Sequence, residues 1–245
     1  MQPQISPDAR AELAPGGKLR VGINHSNFLI VTPGSPFGAP KGIAPELALE
    51  LGKRAGVPVQ FLSFDAAGKL ADAVKNAQVD VGFLGNEPQR ADVIAFSPAY
   101  LELPVTYLVP AGSPIAKLEE VDREGVRVAV SARSAYDLYL TRNLKHAQLV
   151  RAEGIPASAK LFVADKLEAL AGLKPGLMEE ARKLPGSRLL DGQVTAVQQS
   201  IGAPKNRQAA AAYLRGFVED VKRSGMVRRL VESHGVKGVN VAPPA

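Results

Sequence analysis

The hydrophobic positions change period along the chain in a regular order. KLRVGIN (18–24) is a short β-branched run of the kind a strand requires. A loop rich in glycine and proline, HSNFLIVTPGSPFGAPKG (25–42), follows it. IAPELALELGKRAGV (43–57) then sets Leu47 and Leu51 four apart, with Pro45 suited to a first helical turn and Gly56 as a stop. A strand over VPVQFLSF (57–64), a helix over AAGKLADAVKNAQ (66–78) and a strand over VDVGFL (79–84) complete a β-α-β-α-β rhythm. That rhythm predicts an α/β fold with a mostly parallel sheet and helices on both faces.

SPAYLELPVTYLVP (97–110) breaks the pattern: it is extended, punctuated by proline and without a helical period. It reads either as an edge strand or as a crossing between two lobes. The rhythm restarts with a strand over VRVAVS (126–131), a helix from Ser134 to about Gln148, and a helical stretch over ADKLEALAGLKPGLMEEARKL (164–184). A second extended piece, GQVTAVQQSIGAP (192–204), precedes a long helix over 206–225 and a shorter one over 226–235. Two α/β blocks and two extended crossings predict two lobes with a ligand cleft between them.

Composition narrows the function. Hydrophobic residues make up 46% and charged residues 22%, ordinary for a globular protein. Aromatics are only 5% and tryptophan is absent, which argues against a platform for stacking bases. The 30 Lys and Arg exceed the 24 Asp and Glu, but the excess is scattered, so nucleic acid is not expected as a partner. Without cysteine there is no disulfide, thiolate metal site or cysteine nucleophile. His25, His146 and His234 show no ligand spacing, so no metal and no cofactor are expected. The stretch MQPQISPDARAELAPGGK (1–18) has no basic segment followed by an apolar core, and no signal peptide is read there.

The candidate chemistry centres on GNEPQRADVIAFSPAY (85–100). Arg90 there is either a solvated surface charge or the anchor of a small anion. A guanidinium suits the second role because its planar fork gives a carboxylate two parallel hydrogen bonds. Gly85, Asn86 and Glu87 would line the wall beside it. Further on, Ser131 ends a strand, and Ser134 with Asp137 has the spacing of a capping box. The backbone N–H groups of Ala135 and Tyr136 at that helix start would face an anion. Gln198 and Gln199 are polar residues in an otherwise apolar crossing, and alternation turns only one of them toward the cleft; Gln198 is taken as that one.

KLRVGIN, GIAPELALELGKRAGVPVQF, VDVGFLGNEPQRADVIAFSPAY, VRVAVSARSAYDLYL and YLRGFVEDVKRSGMVRRLVESHG appear in an order that resembles the extracellular solute-binding proteins of family 3. These are receptors for polar amino acids in ABC importers, and the resemblance covers almost the whole chain. It implies the periplasmic-binding-protein type II fold, two lobes joined by two crossing strands and closing on a ligand. One lobe would be 1–103 with the return segment 198–245, the other 104–197. The arginine matching Arg90 would hold a ligand carboxylate. NHSNF (24–28) matches the segment that covers the substrate, so Asn24 and Asn27 would offer polar groups and Phe28 an apolar cover. The acidic position that receives a ligand ammonium falls in LEALAGLKPGL (167–177), where this chain is apolar or glycine. Either Glu87 substitutes for it or the ligand carries no ammonium group.

The expected function is therefore that of a non-enzymatic receptor. It would bind a small carboxylate or amino acid, act as a monomer and deliver its ligand to an ABC permease. The resemblance implies a periplasmic location. The alternatives are a cytoplasmic sensory or regulatory module and, on the same fold, an enzyme similar to cyclohexadienyl dehydratase.

Overall fold

The computed structural model describes residues 5–36 and 38–245. Part of the stretch read for a signal (1–4), and Phe37 in the first loop, lie outside the described residues. The chain divides into two compact units, one of residues 1–102 with 198–245 and one of residues 103–197.

Unit 1 opens with α1 (Pro7–Leu13), β1 (Leu19–Asn24), α2 (Ile43–Ala55), β2 (Val59–Phe64), α3 (Ala67–Lys75) and β3 (Val81–Asn86). The short α4 (Pro88–Ala91) and β4 (Ile94–Phe96) follow, and β5 (Leu101–Val109) carries the chain into unit 2. There the order is β6 (Arg127–Ser131), α5 (Ala135–Asn143), β7 (Gln148–Ala152), α6 (Ile155–Ala164), β8 (Ala169–Leu173), α7 (Lys174–Lys183) and β9 (Arg188–Leu189). The chain returns in β10 (Thr195–Pro204) and ends unit 1 with α8 (Gln208–Arg223), α9 (Met226–Ser233) and β11 (Asn240–Val241). Among the described residues no helix is long and apolar enough to cross a membrane.

In unit 1 the strand order is β2-β1-β3-β10, with β1 parallel to both its neighbours and β10 antiparallel to β3. In unit 2 it is β5-β8-β6-β7, the last three parallel and β5 antiparallel to β8. Each parallel set directs its C-terminal strand ends to one edge. Asn24 and Asn86 stand at that edge in unit 1, and Ser131 stands there in unit 2.

Local chemistry sets the helix boundaries. At the start of α2, Gly42 has φ +127°, and a Cβ there would lie 2.6 Å from the Ile30 carbonyl oxygen. Gly56 closes the same helix in the left-handed conformation, φ +65°. Leu47 and Leu51 are fully buried, each worth about 1.5–3 kcal/mol of apolar transfer. Arg54 ties α2 to α8 through Asp220 at 2.6 Å while its guanidinium lies over the Phe217 ring.

Unit 2 departs from the expected pattern in two places. The helix expected to run from Ser134 to about Gln148 stops at Asn143. Asp122 accepts hydrogen bonds from the N–H groups of Lys145, His146 and Ala147, holding that turn open before β7 begins. The expected helical stretch 164–184 is three elements: the end of α6, the strand β8 and the helix α7. ALAGL (169–173) is buried at every position and pairs on both sides, and no local signal separates such a run from a buried helix segment.

The same clamp appears at the N-terminal strand edge of both units. In unit 1 the Arg20 backbone N–H, Nε and Nη2 donate to the Asp80 carboxylate, and Nη2 also donates to the Ala77 carbonyl. In unit 2 Arg127 makes the same set of bonds to the Glu168 carboxylate and the Lys166 carbonyl. Ala77 and Lys166 both have positive φ, +53° and +48°. The clamps differ in burial, since Asp80 is fully buried and takes a second arginine, Arg207, at 2.6 Å. Burial raises the Asp80 pKa, but hydrogen bonds from Arg20 and Arg207 outweigh it and the net shift is downward.

Candidate functional site

The expected site residues fall into two groups, one in each unit. In unit 1 the C-terminal end of β3 delivers Gly85 and Asn86 into the short turn that starts α4. Glu87 is the N-cap of α4, with Oε2 accepting from the Gln89 N–H at 3.1 Å, and Pro88 fills the first helical position. One turn further the Arg90 side chain folds back, and its Nη1 donates to the Gly85 carbonyl at 2.8 Å. Arg90 is only 5% exposed. The solvated surface arginine considered from the sequence is therefore not what the chain builds. The guanidinium is held beside the strand end, in an orientation set by the backbone.

Asn24 ends β1, the strand next to β3. Its Oδ1 accepts from the backbone N–H and the hydroxyl of Ser26, at 3.1 and 2.8 Å. The Oδ1 of Asn27 accepts from the Leu29 N–H at 3.3 Å. Both asparagines thus spend their carbonyl oxygens on local turns and keep their amide N–H groups as donors. Phe28 is half-buried in the turn after them. His25 Nε2 meets Ser63 Oγ at 3.1 Å, and burial lowers the imidazole pKa, which keeps the ring neutral at neutral pH. Ser63, on β2, was not anticipated; the signal for it was only its place at the end of a strand beside the first loop.

On β10, Gln198 pairs in register with Asn86 and Gln199 with Gly85. Gln198 is half-buried and donates to the Glu102 carboxylate at 3.3 Å. Gln199 is buried at 2%, and its Nε2 has no hydrogen-bond partner in the protein. The hydroxyl of fully buried Tyr100 is likewise without a partner, and burial raises its pKa although the Gln199 amide lies close.

In unit 2, β6 ends at Ser131 and α5 begins after Ser134. Ser134 Oγ accepts from the Asp137 N–H at 3.1 Å, as an N-cap does. The reciprocal half of the expected capping box is displaced by one residue: Asp137 Oδ2 accepts from Arg133 N–H at 2.7 Å, not from Ser134. Arg133 has φ +55°, which re-aims its N–H, and the Ser134 N–H goes to the Ser131 carbonyl. Arg151 on β7 donates to Asp137 at 3.0 Å and fixes its carboxylate.

Ala135 and Tyr136 are the first two residues of α5, where a helix offers its own N–H groups no acceptor. The Tyr136 hydroxyl is buried without a hydrogen-bond partner. Burial pushes its pKa up to about 12, against the opposing pull of the nearby Ser134 and Ser131 hydroxyls. Unit 2 therefore presents a capped helix start, two serine hydroxyls and a buried phenol, all of which suit an anion or a hydrogen-bonding acceptor. Among the described residues, no three His, Cys, Asp or Glu side chains gather as a metal site.

The arrangement is an α/β frame with polar groups placed at the C-terminal strand ends, the edge at which open α/β sheets take ligands. Residues 19–237 match the bacterial extracellular solute-binding proteins, family 3, and the chain belongs to that family. Solved structures agree in fold. A mutant of ArgBP from T. maritima is 19% identical with a TM-score of 0.78, covering 94% of this chain and 100% of its own. An amino acid ABC transporter substrate-binding protein from Streptococcus pneumoniae, bound to L-arginine, is 16% identical with a TM-score of 0.76, covering 96% and 99%. An ancestral amino acid-binding protein, a precursor of cyclohexadienyl dehydratase, is 20% identical with a TM-score of 0.75, covering 91% and 98%. No curated protein sequence matches the chain significantly.

Proposed function

We propose that this chain is a solute receptor that binds a small carboxylate-bearing ligand, an amino acid or an organic acid, and presents it to an ABC-type importer. The observation that carries this reading is Arg90, a buried guanidinium fixed by the Gly85 carbonyl at the ligand edge of unit 1. A cation held in that way is pre-organised for two-point recognition of a carboxylate. The amide donors of Asn24 and Asn27, in the same unit, are further groups of the right polarity. That solved neighbours include a protein bound to L-arginine supports an amino acid as one candidate.

Strand β8 bears on the ligand's other end. ALAGL supplies no carboxylate, and Glu168 just before it is engaged by Arg127 at the opposite strand edge. Recognition therefore rests on the carboxylate, and any ammonium group would have to be met from elsewhere, Glu87 at the start of α4 being the buried acidic side chain closest to Arg90 along the chain. A dehydratase reading would need a general acid. The Glu87 carboxylate caps α4 and His25 meets Ser63, an arrangement that favours binding over proton transfer.

A thermal-shift screen of amino acids and small organic acids is the test. A ligand at 100 times its Kd adds ~2.7 kcal/mol of apparent stability. Calorimetry on Arg90→Ala should then show affinity reduced roughly 30- to several-thousand-fold, the result of truncating one partner of a desolvated charge pair. Circular dichroism controls for folding. Wild-type affinity in Arg90→Ala would overturn the reading.

A further inference from the structure

Unit 2 holds a cavity at the strand edge away from Ser131 and the start of α5. β8 lies parallel to β6 with Ala169 opposite Val128, so Leu167 sits at the N-terminal edge of these strands. β5 runs antiparallel to β8 and brings Pro110 to the same edge. Between them opens a cavity of ≈ 300 Å³ walled by Pro110, Phe162, Val163, Leu167 and Leu184. That volume is at the lower end of the range for small-molecule pockets, ~300–1,000 Å³.

The cavity is apolar except for one charge. Lys166 is the single charged residue among those lining it, and its ammonium forms no ion pair or hydrogen bond among the described residues. The backbone beneath it is fixed: the Lys166 carbonyl accepts from Arg127 Nη2 at 3.0 Å, and the Leu167 N–H donates to the Phe162 carbonyl at 3.0 Å. Ser187, the other polar lining residue, spends its hydroxyl on the Leu184 carbonyl at 2.6 Å. Val163 on α6 is 51% exposed, an apolar side chain left facing solvent beside the opening.

We propose that this cavity is a second binding site, for a small carboxylic acid with an apolar chain or ring. The apolar part lies against Phe162, Leu167 and Leu184, and the carboxylate meets the Lys166 ammonium. The site is independent of Arg90 and does not rest on the receptor reading. Each methylene buried raises affinity about four-fold. The exposed ammonium adds up to about five-fold for an anion over a neutral head group.

The test is a methyl NMR titration of the full chain in the Arg90→Ala background, which removes the anchor proposed for the other site. Hexanoate, butanoate, hexan-1-ol and hexylamine are the probes. Saturable shifts at the Val163, Leu167 and Leu184 methyls are expected, with hexanoate binding about fifteen-fold more tightly than butanoate. Hexanoate should also bind more tightly than the alcohol, and hexylamine most weakly. Lys166→Asn, which tolerates the left-handed backbone, should erase the preference for hexanoate over the alcohol and leave alcohol binding unchanged. Non-saturating shifts at those methyls, hexylamine binding as tightly as hexanoate, or an undiminished acid preference in Lys166→Asn would each overturn the proposal.

Discussion

Asp80→Asn should cost far more stability than Glu168→Gln, although the two acids occupy the same clamp in the two units. Asp80 is fully buried and accepts from Arg20 and Arg207, whose side chains are 33% and 14% exposed. Neutralising it leaves two cations facing an amide. Breaking a buried pair from one side costs about 3–5 kcal/mol, and the part-exposure of Arg20 places the expectation near the lower figure. For a chain of this size ~3 kcal/mol corresponds to a melting point lower by roughly 6–12 °C. Glu168 and Arg127 are 35% and 40% exposed, so water replaces much of what Glu168→Gln removes, and its melting point should fall by less than half as much. Differential scanning calorimetry at neutral pH reads both. Equal losses would show that burial is not what distinguishes the clamps, and the argument from exposure would fail.

Tyr100→Phe should be neutral or stabilising by thermal melt, because the hydroxyl it removes is buried and makes no hydrogen bond; a loss above about 1 kcal/mol would reveal a partner. Gly42→Ala should lower the melting point, since a Cβ would meet the Ile30 carbonyl at 2.6 Å and the backbone there has φ +127°. The folded pKa values of Asp80, Asp122 and Glu168 are lowered, so their stabilisation is present above the ordinary carboxylate pKa and lost as pH falls through the folded values. Urea melts should therefore weaken below about pH 4, and Asp80→Asn should flatten that decline. Ser134→Ala should weaken α5 by about 1 kcal/mol in the same melts, because its hydroxyl accepts from the Asp137 N–H at the helix start; an unchanged melt would show that the cap contributes nothing.

Unit 1 was legible in the sequence because its signals are local. Pro45, Leu47, Leu51 and Gly56 mark α2 within one or two residues, and β1, β2 and β3 sit between helices of clear period. Unit 2 was less so. What ends α5 is Asp122, more than twenty residues upstream, and no window around Asn143 contains it. β7 and α6 were not anticipated, although Pro156 just inside the start of α6 was a usable sign. β8 carries the signal of a helix because ALAGL is all apolar and sits between helix formers; only pairing with β5 and β6 makes it a strand. For the candidate site, residue types and spacing pointed to Arg90 and Ser134. The burial of Arg90, the shift of the Asp137 bond to Arg133 and the different surroundings of Gln198 and Gln199 depend on contacts that spacing does not encode.

The paired clamps bear on how readily such a protein can acquire a new ligand. A strand that slips by one residue turns every side chain to the opposite face, and each clamp prevents this by pinning the start of a first strand to the start of a third. Both clamps lie at the strand beginnings, while Asn24, Asn27, Glu87, Arg90 and Ser134 lie at or beyond the strand ends. Alignment is thus secured at one edge and chemistry displayed at the other. Loops at the display edge can be rewritten, by evolution or by grafting, with the register of the frame already guaranteed elsewhere.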